Sequence, residues 1–212
     1  MLHVKSFAFN PFSENTYIIY NDEKEAFLID PGNMPEAETQ TLHSFIKTNE
    51  LKVKNILLTH AHIDHIIGLQ WAYDTFEVPV MIHFDEMEIL ERASFTAKIY
   101  GFFFPAFKGE LQHIKEGNKL HLSSETIEIY DVPGHSPGSV AFYNQNNGFV
   151  ISGDALFMMS IGRTDLHKGD YNQLISSIKN KLLTLPDHTK VYSGHGQPTK
   201  IGFEKEHNSF LK

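Results

Sequence analysis

Short apolar segments with strand-like spacing open the chain. They run from Leu2 to Phe9, from Thr16 to Tyr20 and from Ala26 to Ile29, and Asn-Pro and Asn-Asp pairs separate them. Such pairs favour turns, so we predict three antiparallel strands at the start of a first sheet. From Pro35 to about Glu50 the apolar residues recur at helical spacing, which predicts a helix packed on that sheet.

The second half of the chain repeats this order of strands before helix. Alternating apolar positions between Lys119 and Val132 predict a strand region with one face in the core. The segments 139–143 and 148–152 flank an Asn-rich turn and predict a hairpin. Asp170 is the expected cap of a later amphipathic helix, which we predict to end at Pro186.

The densest cluster of candidate metal ligands follows the apolar run 55–59, which is typical of a buried strand. His60 and His62 point the same way in an extended chain, so both can reach one cation. Asp64 and His65 lie where the chain turns into a predicted helix, with Asp64 as its expected cap, and they can face a second point nearby. Imidazole nitrogen and carboxylate oxygen are ligands that zinc, iron and manganese accept.

Three later segments each end in one further potential ligand. His135, Asp154 and His195 all follow a strand-like apolar segment and a Gly, which permits a tight turn at a strand end. We expect these turns to deliver the three side chains to the same rim as the first cluster. The total of five His and two Asp is too many for one tetrahedral ion and suits two.

In this order and setting, the seven residues resemble the metallo-β-lactamase superfamily. Within it, the chain is similar to the hydroxyacylglutathione hydrolase (glyoxalase II) branch, and especially to its short bacterial members. The motifs that carry this second resemblance are Asp30-Pro31-Gly32, Pro133-Gly134-His135-Ser136-Pro137-Gly138-Ser139, Ser152-Gly153-Asp154, Gly162-Arg163-Thr164-Asp165 and Ser193-Gly194-His195-Gly196. The resemblance implies an α+β fold, a four-layer αββα sandwich, with residues 1–212 as one domain and a two-metal site at one edge.

The resemblance also implies a division of the ligands between two divalent ions. One ion would be held by His60, His62 and His135, the other by Asp64, His65 and His195, with Asp154 bridging them. Zinc is the expected metal, and iron and manganese are the alternatives. A metal-bound hydroxide between the two ions would be the nucleophile. Asp64 would act beside it as a catalytic residue that moves a proton to the leaving group.

Other candidate residues receive structural interpretations. Asp30, before Pro-Gly, fits ordinary turn chemistry close to the site rather than direct ligation. His83 follows the apolar strand 78–82 without ligand spacing around it, so we expect it to pack at the strand end. Arg163 and Asp165 are expected to form an ion pair that stabilises a loop near the site.

Composition narrows the function further. A formal net charge of -8 without a Lys/Arg cluster argues against nucleic-acid binding, and the absence of Cys excludes disulfides and thiolate sites. No apolar run approaches a membrane span, and the first residues lack the features of an export signal. We therefore expect a soluble cytoplasmic protein with a small-molecule acyl substrate and no membrane or nucleic-acid partner. Nothing in the sequence sets the oligomeric state.

Hydrolysis of an acyl thioester is the function that the resemblance favours. Glutathione itself is in doubt, because members that use it carry a further C-terminal helical region with basic residues, and this chain ends at Lys212. An iron persulfide dioxygenase with one metal on His60, His135 and Asp154 is the main alternative. A lactone or other ester hydrolase, a β-lactamase and a non-catalytic metal-binding module are further alternatives.

An aromatic segment between the two halves is the most unusual stretch outside these motifs. Residues 94–115 are less regular in pattern, and within them Phe102-Phe103-Phe104-Pro105-Ala106-Phe107 cannot form a helix interior. The segment either fills the core or forms an apolar wall over the mouth of the site. The second possibility makes Phe103 and Phe104 candidate substrate-binding residues.

Overall fold

Two six-stranded sheets form the centre of the computed structural model, which covers residues 1–212. The first sheet has the spatial order β1 (Leu2–Phe9), β2 (Glu14–Asn21), β3 (Glu25–Ile29), β4 (Lys52–Leu57), β5 (Val80–His83) and β6 (Leu111–Ile114). Strands β1 to β3 pair antiparallel, as predicted, and β3 to β6 pair parallel.

The second sheet has the spatial order β14 (Thr199–Lys200), β13 (Lys190–Ser193), β10 (Phe149–Gly153), β9 (Val140–Asn144), β8 (Glu125–Asp131) and β7 (Lys119–Leu122). The predicted hairpin is β9–β10, and a parallel pair joins β10 to β13. Two short strands, β11 (Leu156–Phe157) and β12 (Ser160–Ile161), form a separate ribbon.

Helices cover the outer face of each sheet. They are α1 (Glu36–Thr48), α2 (Ile63–Ile66), α3 (Leu69–Phe76), α4 (Met87–Ile99), α5 (Tyr171–Asn180) and α6 (Ile201–His207). No helix has both the length and the apolar composition needed to cross a bilayer.

Three buried clusters show how the layers pack. One joins the first sheet to α1, α3 and α4, with Leu42 and Ile82 among its members. The second lies between the two sheets and includes Phe27 and Phe142. The third joins the second sheet to α5 and α6, and includes Leu174. Apolar burial on both faces of each sheet stabilises the predicted αββα sandwich, and the fold prediction is confirmed.

Several element boundaries differ from the sequence prediction. Asp64 is not a helix cap: His62 is the N-cap of α2, and Asp64 lies in the first turn with its carboxylate near His195. Asp170 does cap α5, because its side chain accepts a hydrogen bond from the Gln173 amide. That helix ends at Asn180, and a short 3-10 turn separates it from Pro186.

The segment 94–115 is more regular than predicted. Helix α4 continues to Ile99, and β6 adds a sixth strand to the first sheet. The alternation in the short strand β6 is weak, since only Ile114 is buried there. Its place in the sheet is set by parallel pairing with β5, which is a long-range contact.

Candidate metal centre

The seven candidate ligands lie at the edge where strand ends of both sheets meet. His60 and His62 follow β4, and His135, Asp154 and His195 follow β8, β10 and β13. Hydrogen bonds across this edge join the sheets: the Val140 amide donates to the Thr59 carbonyl, and the Tyr17 hydroxyl donates to the Ser193 carbonyl. These bonds fix the strand ends from which the ligand loops start.

Two groups of ligand atoms form within this cluster. The ring nitrogens of His60, His62 and His135 lie within 4.8 Å of one another. The nearest of them are His62 Nδ1 and His135 Nε2, at 2.8 Å. These are the three residues expected to share one ion.

The second group contains Asp64, His65 and His195, again within 4.8 Å. The distance from His195 Nε2 to Asp64 Oδ2 is 3.1 Å, and that from His65 Nε2 to the same oxygen is 3.7 Å. These are the residues expected to share the other ion.

Asp154 lies between the two groups. Its Oδ1 is 3.4 Å from His65 Nε2, and its Oδ2 is 3.5 Å from both His135 Nε2 and His195 Nε2. One carboxylate thus faces histidines of both groups, which is the arrangement that a bridging ligand needs.

Hydrogen bonds on the far side of the rings determine which nitrogen faces the centre. His135 Nδ1 donates to the Arg163 carbonyl at 2.7 Å, and His195 Nδ1 donates to the Phe12 carbonyl at 3.1 Å. A carbonyl oxygen only accepts, so each Nδ1 carries the proton. With the proton on Nδ1, the Nε2 atom of each ring faces the centre, as in a metal-ligating histidine.

Asp30 orients two further rings. Its carboxylate accepts hydrogen bonds from the Thr59 amide at 2.7 Å and the Thr59 hydroxyl at 2.6 Å, and it lies 3.0 Å from His65 Nδ1. Because the Thr59 hydroxyl donates to Asp30, its oxygen can accept from His60 Nδ1, 3.0 Å away. Asp30 therefore acts from behind the ligands, as the sequence interpretation proposed.

Buried atoms without partners test whether this cluster fits a cation. His60 Nε2, His65 Nε2 and Asp154 Oδ1 are buried and make no hydrogen bond within the chain. A buried polar atom without a partner is costly, and such atoms are rare in native proteins. Here all three belong to ligand-type groups facing one centre. The donor set of imidazoles and carboxylates therefore fits divalent transition-metal ions.

The pKa values of the cluster agree with this fit. Burial lowers the pKa of His62 to about 3, and burial with the neighbouring imidazoles lowers the pKa of His60 well below its usual value. For His65, burial acts to lower the pKa, but the carboxylates of Asp154 and Asp64 outweigh it and raise the pKa well above the usual value. His60 and His62 are thus neutral donors, whereas a cation bound at His65 replaces a proton.

The sequence profile of a family described as "Metallo-beta-lactamase superfamily" matches residues 9–195. The chain belongs to this superfamily. Its curated relatives include the "Probable metallo-hydrolase YqgX" of Bacillus subtilis (strain 168), 39% identical over 204 residues, which are 95% of this chain and 93% of the relative. They also include the "Hydroxyacylglutathione hydrolase GloC" of Haemophilus influenzae (strain ATCC 51907 / DSM 11121 / KW20 / Rd), 38% identical over 202 residues, which are 94% of this chain and 93% of the relative.

Solved structures of the superfamily share the whole fold. The "BLEG-1 B3 metallo-beta-lactamase" superposes with a TM-score of 0.87 at 40% identity, covering 99% of this chain and 100% of that one. A second structure, "TTHA1623 in a di-iron-bound form", superposes with a TM-score of 0.87 at 35% identity, covering 98% and 100% of the two chains. Together with the relatives, these matches place the chain among metallo-hydrolases.

Glu86, which connects two of the ligand loops, was not predicted from the sequence. Glu86 is fully buried, and its carboxylate accepts from the Ala61 amide at 2.8 Å, from the Ser136 hydroxyl and from the Gly138 amide at 2.7 Å. Ala61 lies between two ligands of the first group, and Ser136 follows the third. The Glu86 carboxylate therefore ties together the two loops that form the group. A single Glu after β5 has no spacing that would have revealed this role.

Replacing Glu86 with Gln is expected to loosen the first ligand group. The amide keeps the shape but turns one acceptor into a donor that faces amide and hydroxyl donors. We expect a loss of about 1 to 3 kcal/mol in the free energy of unfolding of the metal-free protein. Urea denaturation checks this, with exposed Glu91→Gln on α4 as the matched control. Equal stability of the two variants would contradict the role assigned to Glu86.

Gly194 brings the backbone close to two of the candidate ligands. A side chain there would begin 2.0 Å from Asp154 Oδ1 and 2.7 Å from His65 Cε1. Only Gly leaves room for both groups. The Gly that precedes His195 in the sequence motif thus serves Asp154 and His65 as well as the turn.

The ligands form one end of a cleft of about 590 Å³. Asp64, Asp154 and three of the histidines line it, whereas His60 and His65 are buried beneath. Its other walls are largely apolar, with Ile89, Phe95, Ile99, Phe157, Ile161 and Leu166 among them. The expected ion pair between Arg163 and Asp165 is present, with two contacts of 2.7 Å.

The aromatic segment does not form the wall that the sequence left possible. Phe104 is 7% exposed and belongs to the buried cluster of the first half, while Phe103 is 91% exposed, and neither lines the cleft. The reason is the length of α4, whose last turn places Ile99 and then Tyr100 at the cleft instead. The prediction that Phe103 and Phe104 line the substrate-binding cleft is therefore wrong.

His83 is placed at the carboxyl end of β5, as expected for a packing residue. Its Nδ1 accepts a hydrogen bond from the Asp85 amide at 3.2 Å, and it belongs to neither ligand group. It is therefore not an eighth ligand of the cluster.

Proposed function

We propose that the protein is a two-metal hydrolase that cleaves acyl thioesters. The observation that carries this proposal is the pair of ligand groups that share Asp154 at the end of an apolar cleft. The similarity to a relative named as a hydroxyacylglutathione hydrolase supports the thioester as the substrate class.

The ligand assignment follows the two groups. One ion would be bound by His60, His62 and His135, the other by Asp64, His65 and His195, and both by Asp154. When bound, the two cations would supply a hydroxide nucleophile near neutral pH and stabilise developing charge on the substrate carbonyl oxygen. Zinc is the proposed metal, and the di-iron form of TTHA1623 makes iron the alternative.

Asp64 has a second role in this proposal. Its carboxylate lines the cleft, and its Oδ2 lies beside His195 Nε2. Burial acts to raise the pKa of Asp64, but His65 and His195 outweigh it and lower the pKa below the usual value. The carboxylate is thus ionised at neutral pH, so it can accept a proton from the attacking water and pass it to the departing thiolate.

Anaerobic hydrolysis of a thioester is the experiment that tests the proposed function. We expect thiol and acid to appear in equal amounts without oxygen. Removal of metal by a chelator should lower the rate by about a thousandfold, since metal-ion catalysis contributes several kcal/mol. Absence of thioester cleavage, together with oxygen consumption when a persulfide is supplied, would contradict hydrolysis and favour a persulfide dioxygenase.

The similarity to BLEG-1 makes β-lactam hydrolysis the second candidate function. A lactam places an amide carbonyl where the thioester carbonyl would lie, and the same ligand set would serve both. The two substrates are compared by kcat/KM on the same metal-loaded sample. A lactam cleaved far faster than any thioester or lactone would replace the thioester assignment.

A further inference from the structure

One wall of the cleft is the exposed face of α4. Its cleft-lining residues recur three or four positions apart, so they lie on one side of the helix: Ile89, Arg92, Phe95, Thr96 and Ile99. Phe95 is 61% exposed and Ile99 is 68% exposed. Large apolar side chains left open in a cleft are typical of a surface that binds a ligand.

Arg92 is the one cationic side chain of this cleft without an acidic partner. Arg163 is held by Asp165 through two contacts of 2.7 Å, and His167 lies 2.7 Å from Glu88. Arg92 forms no hydrogen bond or ion pair, and its guanidinium carbon is 6.0 Å from the centre of the Phe95 ring. The aromatic ring supports the guanidinium in the cleft while its N–H donors stay available.

Glu88 is the acidic residue placed to pair with Arg92, but it binds other residues. Glu88 lies four residues earlier on α4, the spacing at which Glu and Arg pair on a helix surface. Its carboxylate instead bonds His167 and Lys168 in the loop after β12. These two contacts lower the pKa of Glu88 to about 2, so the carboxylate that they hold is ionised at neutral pH. The contact between the two halves thereby leaves Arg92 open to the cleft.

We propose that Arg92 binds an anionic group, such as a carboxylate, at the end of an apolar arm of the substrate. The inference rests on the proposed thioester hydrolysis and names the substrate class: an amphipathic thioester whose apolar part lies along Phe95 and Ile99. A chain with a net charge of -8 repels anions in general, so a cation at the cleft determines where an anionic substrate can bind. The anion belongs to either the thiol arm or the acyl arm.

Matched pairs of thioesters test the proposal and separate these two arms. The hexanoyl thioester of 3-mercaptopropionate is compared with its methyl ester, and an adipoyl thioester is compared with its methyl ester. In one of the two pairs, Arg92→Gln should raise the KM of the anionic thioester by about three- to fivefold, and that pair identifies the arm that carries the anion. The KM of the neutral thioester and the kcat of both should stay unchanged. Lys98→Gln, on the same helix but outside the cleft, removes the same charge and should alter neither.

A second variant tests the role of the contact between Glu88 and the loop after β12. Replacing His167 and Lys168 together by Gln releases Glu88 to pair with Arg92, so the preference for the anionic member should fall although Arg92 is intact. An unchanged preference would show that Glu88 does not control Arg92. If Arg92→Gln raised the KM of the anionic and the neutral thioester equally, Arg92 would have only a packing role, and the proposal would be overturned.

Binding of a thioether analogue tests the role of Arg92 independently of the proposed thioester hydrolysis. S-hexyl-3-mercaptopropionate and its methyl ester cannot be hydrolysed at the sulfur, and calorimetric titration measures their Kd. Weaker binding of the anion alone in Arg92→Gln would support the proposal even if no thioester were cleaved. The same titration is made with 6-(methylthio)hexanoate and its methyl ester, which place the anion on the acyl arm. Equal Kd values within both pairs, in the unsubstituted protein and in the variant, would overturn the proposal, whether or not thioesters are substrates.

Discussion

Asp154→Asn is expected to lower kcat/KM for a thioester by about a thousandfold or more. The Asp154 carboxylate faces His65, His135 and His195, which belong to both ligand groups. Asn has nearly the same shape but no charge, so it cannot neutralise two cations at once. The expected loss corresponds to about 4 kcal/mol of transition-state stabilisation, within the range for metal-ion catalysis.

Metal content should distinguish Asp154→Asn from the loss of a single ligand. We expect the Asn variant to bind both ions more weakly, whereas His62→Ala should weaken mainly the first. Asp187→Asn, an exposed residue paired with Lys205, is the control for the chemical change. An Asp154→Asn variant that retains one ion at full affinity would contradict the bridging role.

Phe104→Ala is expected to cost about 3 to 5 kcal/mol of unfolding free energy, the usual cost of removing a buried aromatic ring. Phe104 is 7% exposed and packs in the cluster that joins the first sheet to its helices. Phe103→Ala is the matched control on the neighbouring residue. Because Phe103 is almost fully exposed, its removal should change the free energy by less than about 0.5 kcal/mol.

Urea denaturation of the two variants, together with their KM values, separates core from substrate contact. Neither variant should alter substrate preference, because neither side chain lines the cleft. A stable Phe104→Ala protein, or a specific rise in KM for apolar acyl groups in Phe103→Ala, would contradict the placement of this segment.

Local sequence predicted most of the strands and helices and the meeting of the seven side chains, whereas the four-layer fold was implied by the family resemblance. The spacing of His60, His62, Asp64 and His65 and the Gly-linked strand ends before His135 and His195 depend on neighbours in the chain. Strand ends that meet at one edge then bring these residues together. The resemblance to a known superfamily supplied the division into two groups.

The cleft and its supports could not be predicted in the same way. Glu86 acts through Ala61, Ser136 and Gly138, and the state of Arg92 depends on contacts between Glu88 and the loop after β12. Such pairings join residues far apart in the chain and leave no periodic pattern. The Phe102–Phe107 run was ambiguous for a related reason, since an aromatic cluster is compatible with a core or with a binding wall.

The metal content of the unsubstituted protein tests the central claim most directly. Metal-free protein is titrated with zinc, and separately with iron and manganese under anaerobic conditions, and the bound metal per chain is measured after removal of excess. Two ligand groups that share Asp154 predict saturation at two ions per chain. Saturation at one ion per chain with every metal would contradict the two-metal centre.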